Sequence, residues 1–123
     1  YKPPNPPDAY KSIEISQMLL QGGSSVKESQ IESYMVRKVK EHGGLCFKFV
    51  SPGNPGVPDR IVITPAGKTI YVELKTKIGR LSKVQKWQRS ELEKRGADVR
   101  VLFGLDAVKD FLREVFEDGV HTA

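Results

Sequence analysis

Between residues 51 and 77 the chain reads SPGNPGVPDRIVITPAGKTIYVELKTK, and it sets Asp59, Glu73 and Lys75 close enough in sequence to share two neighbouring strands. Hard cations such as Mg²⁺ take oxygen ligands and keep several waters, so one or two carboxylates plus a substrate phosphate suffice to hold one. Asp59 and Glu73 are those carboxylates. The Lys75 ammonium can stabilise charge developing on a phosphoryl group, or help deprotonate a water whose pKa a cation has lowered. A Glu-x-Lys pair alone is as readily solvated charge on a strand face. Its combination with Pro58-Asp59 is what points to hydrolysis.

The elements that must position these groups follow from the pattern. Side chains alternate along a strand, so Tyr71, Glu73 and Lys75 share one face while Ile70, Val72 and Leu74 share the other, which is apolar and requires a core. The spacing predicts a strand over 59–64, a hairpin turn at Pro65-Ala66-Gly67-Lys68 and a strand over 69–75, bringing Asp59 beside Glu73. Ahead of them, Ile31, Tyr34, Met35 and Val39 recur at helical spacing over 27–42, with Gly43-Gly44 as the stop. Residues 45–50 read as a strand carrying Lys48, which either meets a phosphate or guards a sheet edge. The Gly- and Pro-rich 51–58 segment is a loop with the backbone freedom to approach DNA.

Beyond the central hairpin, Ser82-Lys83-Val84-Gln85 fits a capping box that opens a helix. Val99, Val101 and Phe103 alternate in a strand over 98–103 that Gly104 ends. Asp106 is then expected to cap a last helix whose stripe is Val108, Phe111, Leu112, Val115 and Phe116. Lys77, Arg80, Lys83, Lys86 and Arg89 spread over several faces, which suits a broad phosphate-contacting surface better than base reading. Glu91 and Glu93 leave a solvated helix as the alternative. Trp87 is core, a subunit contact or a base-stacking residue, with the first two preferred because it has no aromatic companions nearby.

With 123 residues the chain is the size of one domain with a modest core, and its formal charge of +5 favours an anionic partner such as nucleic acid. Cys46 is the single cysteine, which excludes an intrachain disulfide and a Cys-rich zinc site and suits a reducing, cytoplasmic compartment. No apolar run is long enough to span a bilayer, so no membrane association is expected. Residues 1–26 read as a Pro-rich arm, a short helix with Ile13, Ile15, Met18, Leu19 and Leu20, and a Gly/Ser linker. This part is either native or appended for expression, with 27–117 as the functional domain and 118–123 as a tail.

Gly53, Gly56-Val57-Pro58-Asp59-Arg60, the Gly67 turn, Val72-Glu73-Leu74-Lys75, Leu81-Ser82 and Gln85 together resemble the virus-type replication-repair nuclease (VRR-NUC) domain of the PD-(D/E)xK nuclease superfamily, over about Lys27 to Phe116. The resemblance is closest to compact stand-alone phage versions. It implies an α/β restriction-endonuclease-like core, a mixed sheet flanked by helices, and a Mg²⁺-dependent DNA endonuclease in which Mn²⁺ can substitute. It also implies a site acid from the first helix, for which Glu32 is chosen with Glu28 behind it, and a place for Gln85 beside the metal held by Asp59, Glu73 and Glu32. Branched DNA such as four-way junctions, a homodimer and, for a phage protein, the host cytoplasm follow from the same likeness. A flap-, end-processing or restriction-type nuclease and a non-catalytic DNA-binding module are the other readings. Paired cuts need two sites, and Trp87, Phe111, Val115 and Phe116 are the apolar candidates for a two-fold interface.

Overall fold

The structure is a computed structural model and describes residues 26–118. Its elements, in order, are helix α1 (Glu28–Glu41), strands β1 (Leu45–Lys48), β2 (Arg60–Ile63) and β3 (Thr69–Lys75), helix α2 (Lys83–Lys94), strand β4 (Asp98–Phe103) and helix α3 (Gly104–Leu112). A π-helical turn (Arg113–Asp118) follows α3. The four strands form one sheet in the order β1-β2-β3-β4, antiparallel except for the parallel β3–β4 pair. Both β3 and β4 have the bounds that the sequence predicts. β1 and β2 are shorter by their outermost residues, although the Phe49 amide still donates to the Asp59 carbonyl at 2.8 Å.

The alternation in β3 sorts the sheet into two faces. Ile70, Val72 and Leu74 are fully buried with Val62 against Ile31, Met35 and Val39 of α1, while Leu105, Val108, Phe111 and Leu112 of α3 close the same core. Burying each such side chain contributes roughly 1.5–3 kcal/mol, which makes this helix-covered face the stabilising one. Val26, ahead of Lys27, is only 4% exposed and packs in that core. The expected helix and linker over 9–25 lie outside the described residues. No helix among the described residues is long and apolar enough to cross a membrane.

Two sequence expectations are corrected here. Asp106 does not cap α3: Gly104, at φ +86°, turns the chain from strand to helix in one residue, so Phe103 is the cap and Asp106 lies exposed inside the first turn. There its charge complements the helix dipole. The proposed interface stripe is also spent on the core, with Phe111 3% and Phe116 6% exposed and Val115 packed against them. Of that set only Trp87, at 58%, faces solvent.

The 51–58 loop is clamped to α2. Gln88 Nε2 donates to the Pro55 carbonyl at 3.2 Å, and Gly56, at φ +86°, lies so close that an added Cβ would sit 2.9 Å from the Val84 carbonyl carbon and oxygen. Gly53, at φ +80°, has open space around it. Both Gly→Ala changes should therefore incur a backbone cost of about 1–2 kcal/mol, but only Gly56→Ala should also push α2 outward and unfold at measurably lower urea than Gly53→Ala. Equal urea midpoints would mean that the loop and α2 are not clamped.

Candidate active site

The catalytic candidates meet where β2 ends and β3 continues. The last β2–β3 pair is Arg60 with Val72, whereas β4 stays paired with β3 through Lys75, so Glu73, Leu74 and Lys75 have a strand neighbour on one side only. On the other side Asp59 replaces the missing strand: its Oδ2 accepts the Leu74 amide at 3.1 Å. That bond holds the Asp59 carboxyl close enough to Glu73 to perturb it.

Glu73 is 4% exposed. Its carboxyl is pushed from an ordinary 4.5 up to about 8, first by burial and then by the hydrogen bond and negative charge of Asp59, with Lys75 opposing and Glu28 adding to the shift. Desolvation and a like charge both disfavour the ionised form. The Lys75 ammonium, 4.0 Å from Glu73 Oε2, is too distant to offset them. Two crowded oxygen donors short of positive charge are suited to a hard divalent cation. Among the described residues no cluster of three or more His, Cys, Asp or Glu is found, and a cation that keeps its waters does not require one.

Gln85 caps its helix and reaches Glu73 at the same time. Ser82 Oγ accepts the Gln85 amide at 3.2 Å and Gln85 Oε1 accepts the Ser82 amide at 2.8 Å, which completes the capping box of α2. With the oxygen so engaged, Nε2 points the other way and donates to Glu73 Oε2 at 3.4 Å.

The two helix-borne acids, of which the sequence reading puts Glu32 first, have different neighbours. Glu32 pairs with Arg60 Nη2 at 3.2 Å. It is Glu28, one turn earlier, whose charge acts on Glu73. Arg60 follows Asp59 and therefore points to the opposite face of the sheet, toward α1, where Glu32 awaits it. Helical spacing places both acids on one stripe but does not say which level of the helix stands beside the strand ends. Nearby and half-buried, Cys46 has its thiol pushed up to about 11 by desolvation, well above the range of a reactive cysteine.

The basic residues are placed as follows. Lys77, Arg80, Lys83 and Lys86 are exposed and have no carboxylate partner among the described residues, while Arg89 pairs with Glu93 at 3.2 Å. Lys48 is exposed on the edge strand β1, opposite Arg60. A cavity of about 220 Å³ lined by Tyr34, Lys38, His42, Lys109, Leu112, Arg113 and Glu117 includes none of the site residues.

The chain is 52% identical over 50 residues to "Putative nuclease p44" of Acyrthosiphon pisum secondary endosymbiont phage 1, a stretch covering 41% of this chain and 54% of that protein. The match thus spans about half the length of the curated relative. A solved structure described as a VRR_NUC domain is 29% identical with a TM-score of 0.68, over 72% of this chain and 97% of that one. Another, a VRR_NUC domain protein, is 15% identical with a TM-score of 0.61 over 76% and 90%, and supports the fold alone. The VRR-NUC family model matches residues 8–105, starting well ahead of the Lys27 at which the sequence likeness begins and ending at the start of α3. This match runs through the whole carboxylate cleft, and the chain belongs to the VRR-NUC family.

Proposed function

We propose that this chain is a metal-dependent endonuclease that hydrolyses DNA phosphodiester bonds, with branched DNA such as four-way junctions as substrate and Mg²⁺ as cofactor. The buried Asp59–Glu73 contact carries this reading, because it leaves two oxygen donors crowded together beside a lysine and an amide. Membership of a nuclease family and the name of the phage relative agree with it.

Asp59 and Glu73 would hold the cation. When bound, a divalent ion lowers the pKa of water and neutralises phosphoryl oxygens. The chain's own groups prepare the rest. The Leu74 amide fixes Asp59 through Oδ2 and Gln85 steadies Glu73 through Oε2, which orients both carboxyls. Lys75 places a positive charge where the phosphoryl group becomes more negative. Glu28 adds negative charge from α1, and Glu32 steadies Arg60 and with it the strand end that carries Asp59. Lys77, Arg80, Lys83 and Lys86 meet backbone phosphates leading away from the cleft. One chain carries one such set, so symmetric cutting of a junction requires a homodimer.

Asp59→Ala and Glu73→Ala should each reduce Mg²⁺-dependent cleavage on the order of 100-fold or more while junction binding persists, and Lys75→Ala should lower turnover more than metal affinity. A panel of linear, nicked, flap and four-way DNA measures both the loss and the preference. Either carboxylate variant cutting at the parent rate would sink the metal site, and faster cutting of flaps than of junctions would replace the substrate assignment.

The raised Glu73 value also has a sign for stability. Its folded form holds a proton more tightly than the unfolded chain does, so in chelator the fold should lose stability as pH rises from about 4.5 through about 8. Glu73→Gln should flatten that part of the thermal-midpoint profile, and a divalent cation should restore the parent at the alkaline end. A parent profile that is already flat in chelator would contradict the crowding of these carboxyls.

Replacing Lys83 and Lys86 with Ala should weaken binding to all duplex-containing substrates alike, and should lower the slope of log affinity against log salt by about 0.9 for each phosphate that is no longer neutralised. Titrations at several salt concentrations measure it. An unchanged slope would make this run a solvated helix face.

A further inference from the structure

Strands β3 and β4 run parallel and end together, and the side chains at that end are large apolar ones set among cations. Lys75 is in register with Phe103, and Glu73 with Val101, so Phe103 lies beside Lys75 on the face that carries Glu73. With strands about 4.8 Å apart and a rise of about 3.3 Å per residue, its Cα is about 8 Å from that of Glu73. Phe103 is 41% exposed. Immediately after Lys75 the chain turns. The Gly79 amide donates to the Thr76 carbonyl at 3.0 Å, and a Cβ added at Gly79 would sit 3.2 Å from Lys75 Cβ, so the turn is folded back tightly on the lysine. Ile78 stands in this turn and is 82% exposed, more than any other large apolar side chain of the described residues. Lys77 links the two positions, because a Cβ added at Gly104, next to Phe103, would lie 3.4 Å from Lys77 Cβ.

We infer that Phe103 and Ile78 receive an unstacked nucleobase beside the scissile phosphate, and that the chain thereby selects DNA whose base stack is interrupted. The inference deepens the proposed function and rests on it for the cleavage step, while base recognition can be tested without cleavage. Apolar side chains scattered singly are ordinary on a surface. These two flank one lysine and share their end of the sheet with Lys75 and Arg80. Lys77 and Arg80 have no carboxylate partner among the described residues. Apolar groups rimmed by free cations match a polyanion that carries flat rings, which is nucleic acid. The place fits as well. Ligands of open α/β sheets lie outside the carboxyl ends of parallel strands, and here that end adjoins the carboxylate cleft.

The side-chain types set the kind of base. Within an intact duplex both faces of a base are covered by its neighbours, so an aromatic ring has nothing to stack on. At a branch point, nick or flap one face is free, and the cost of drawing the base out is least there. A phosphate held at Asp59 and Glu73 leaves its neighbouring base within reach of Phe103. Ile78 is the kind of side chain that enters an opened base step as a wedge. Lys77 and Arg80 then meet the flanking phosphates, which carry no sequence information, so the preference is for a break in the stack and not for a sequence.

Binding of the full chain in chelator tests this, with four-way and linear DNA carrying 2-aminopurine, a base whose emission is quenched by stacked neighbours. The probe is placed in turn at each nucleotide beside the branch point and at internal positions of the linear duplex. With the parent, emission at a branch-point position should rise as that base leaves its neighbours, and emission in the linear duplex should not change. Phe103→Leu, which keeps apolar bulk without a ring, should lose the rise and bind the junction at least ~5-fold more weakly, with linear binding unchanged. Phe103→Tyr keeps a ring face and should behave as the parent. Should Phe103→Leu fail to fold, Ile78→Ser, at a side chain that supports no core, should diminish the same rise. A parent that leaves emission unchanged at every position overturns the inference, as does a rise that both Phe103→Leu and Ile78→Ser retain. Equal weakening toward junction and linear duplex would make this end a general backbone contact and would also overturn it. A parent that unstacks the junction but cuts no DNA in Mg²⁺ would remove the nuclease assignment and leave this inference standing, whereas cutting without the rise would do the reverse.

Discussion

Two carboxyl groups pressed together at the end of a strand pair are unfavourable neighbours, and much of this molecule is arranged to keep them there. Burial and mutual repulsion push against the ionised state of Glu73, with one lysine at 4.0 Å in opposition. What prevents Asp59 from swinging away is a main-chain amide, that of Leu74, which would otherwise lack an acceptor where β2 ends. An unmade bond at a buried amide costs about 1–3 kcal/mol. The fold therefore uses its own need for an acceptor to hold a repulsive pair in place.

The remaining architecture divides labour around that point. One sheet face, roofed by α1 and α3, contains nearly all of the fully buried aliphatic side chains and supplies stability. The opposite face carries Glu73 and Lys75 at its β3 end and is closed there by α2, a helix with no buried residue of its own. α2 is held at its edges instead, through Gln85 on Glu73, Gln88 on Pro55 and the close approach of Gly56. Such an element is positioned by a few directional bonds more than by apolar packing.

The parts legible in sequence were those dictated by local periodicity. Ile70, Val72 and Leu74 announce β3, Val99, Val101 and Phe103 announce β4, and Ser82 with Gln85 announces the start of α2. What stayed hidden depends on how elements stack. Glu28 and Glu32 lie on one helical stripe, and only the height of α1 against the strand ends sends Glu32 to Arg60 and the charge of Glu28 to Glu73. The apolar stripe of α3 says that something is buried but not against what, so its aromatic residues serve equally well as interface or core until the sheet is seen beneath them. In β1 the alternation marks a strand but does not say that Leu45 and Phe47 lie on a face that no described element covers. Asp106 has the right type for a cap, but a strand that enters a helix through a left-handed glycine leaves no cap position for it.

The double engagement of Gln85 links local melting of α2 to the support of Glu73. The first turn of α2 is held by the reciprocal Ser82–Gln85 bonds and the approach of Gly56 to Val84, with no buried side chain, and helix ends so held open at a free energy below that of global unfolding. When that turn opens, the amide that steadies Glu73 leaves with it, although the sheet and both carboxylates remain folded. Loss of the Gln85–Glu73 contact is thereby separable from denaturation, because it depends on one turn of helix and not on the core.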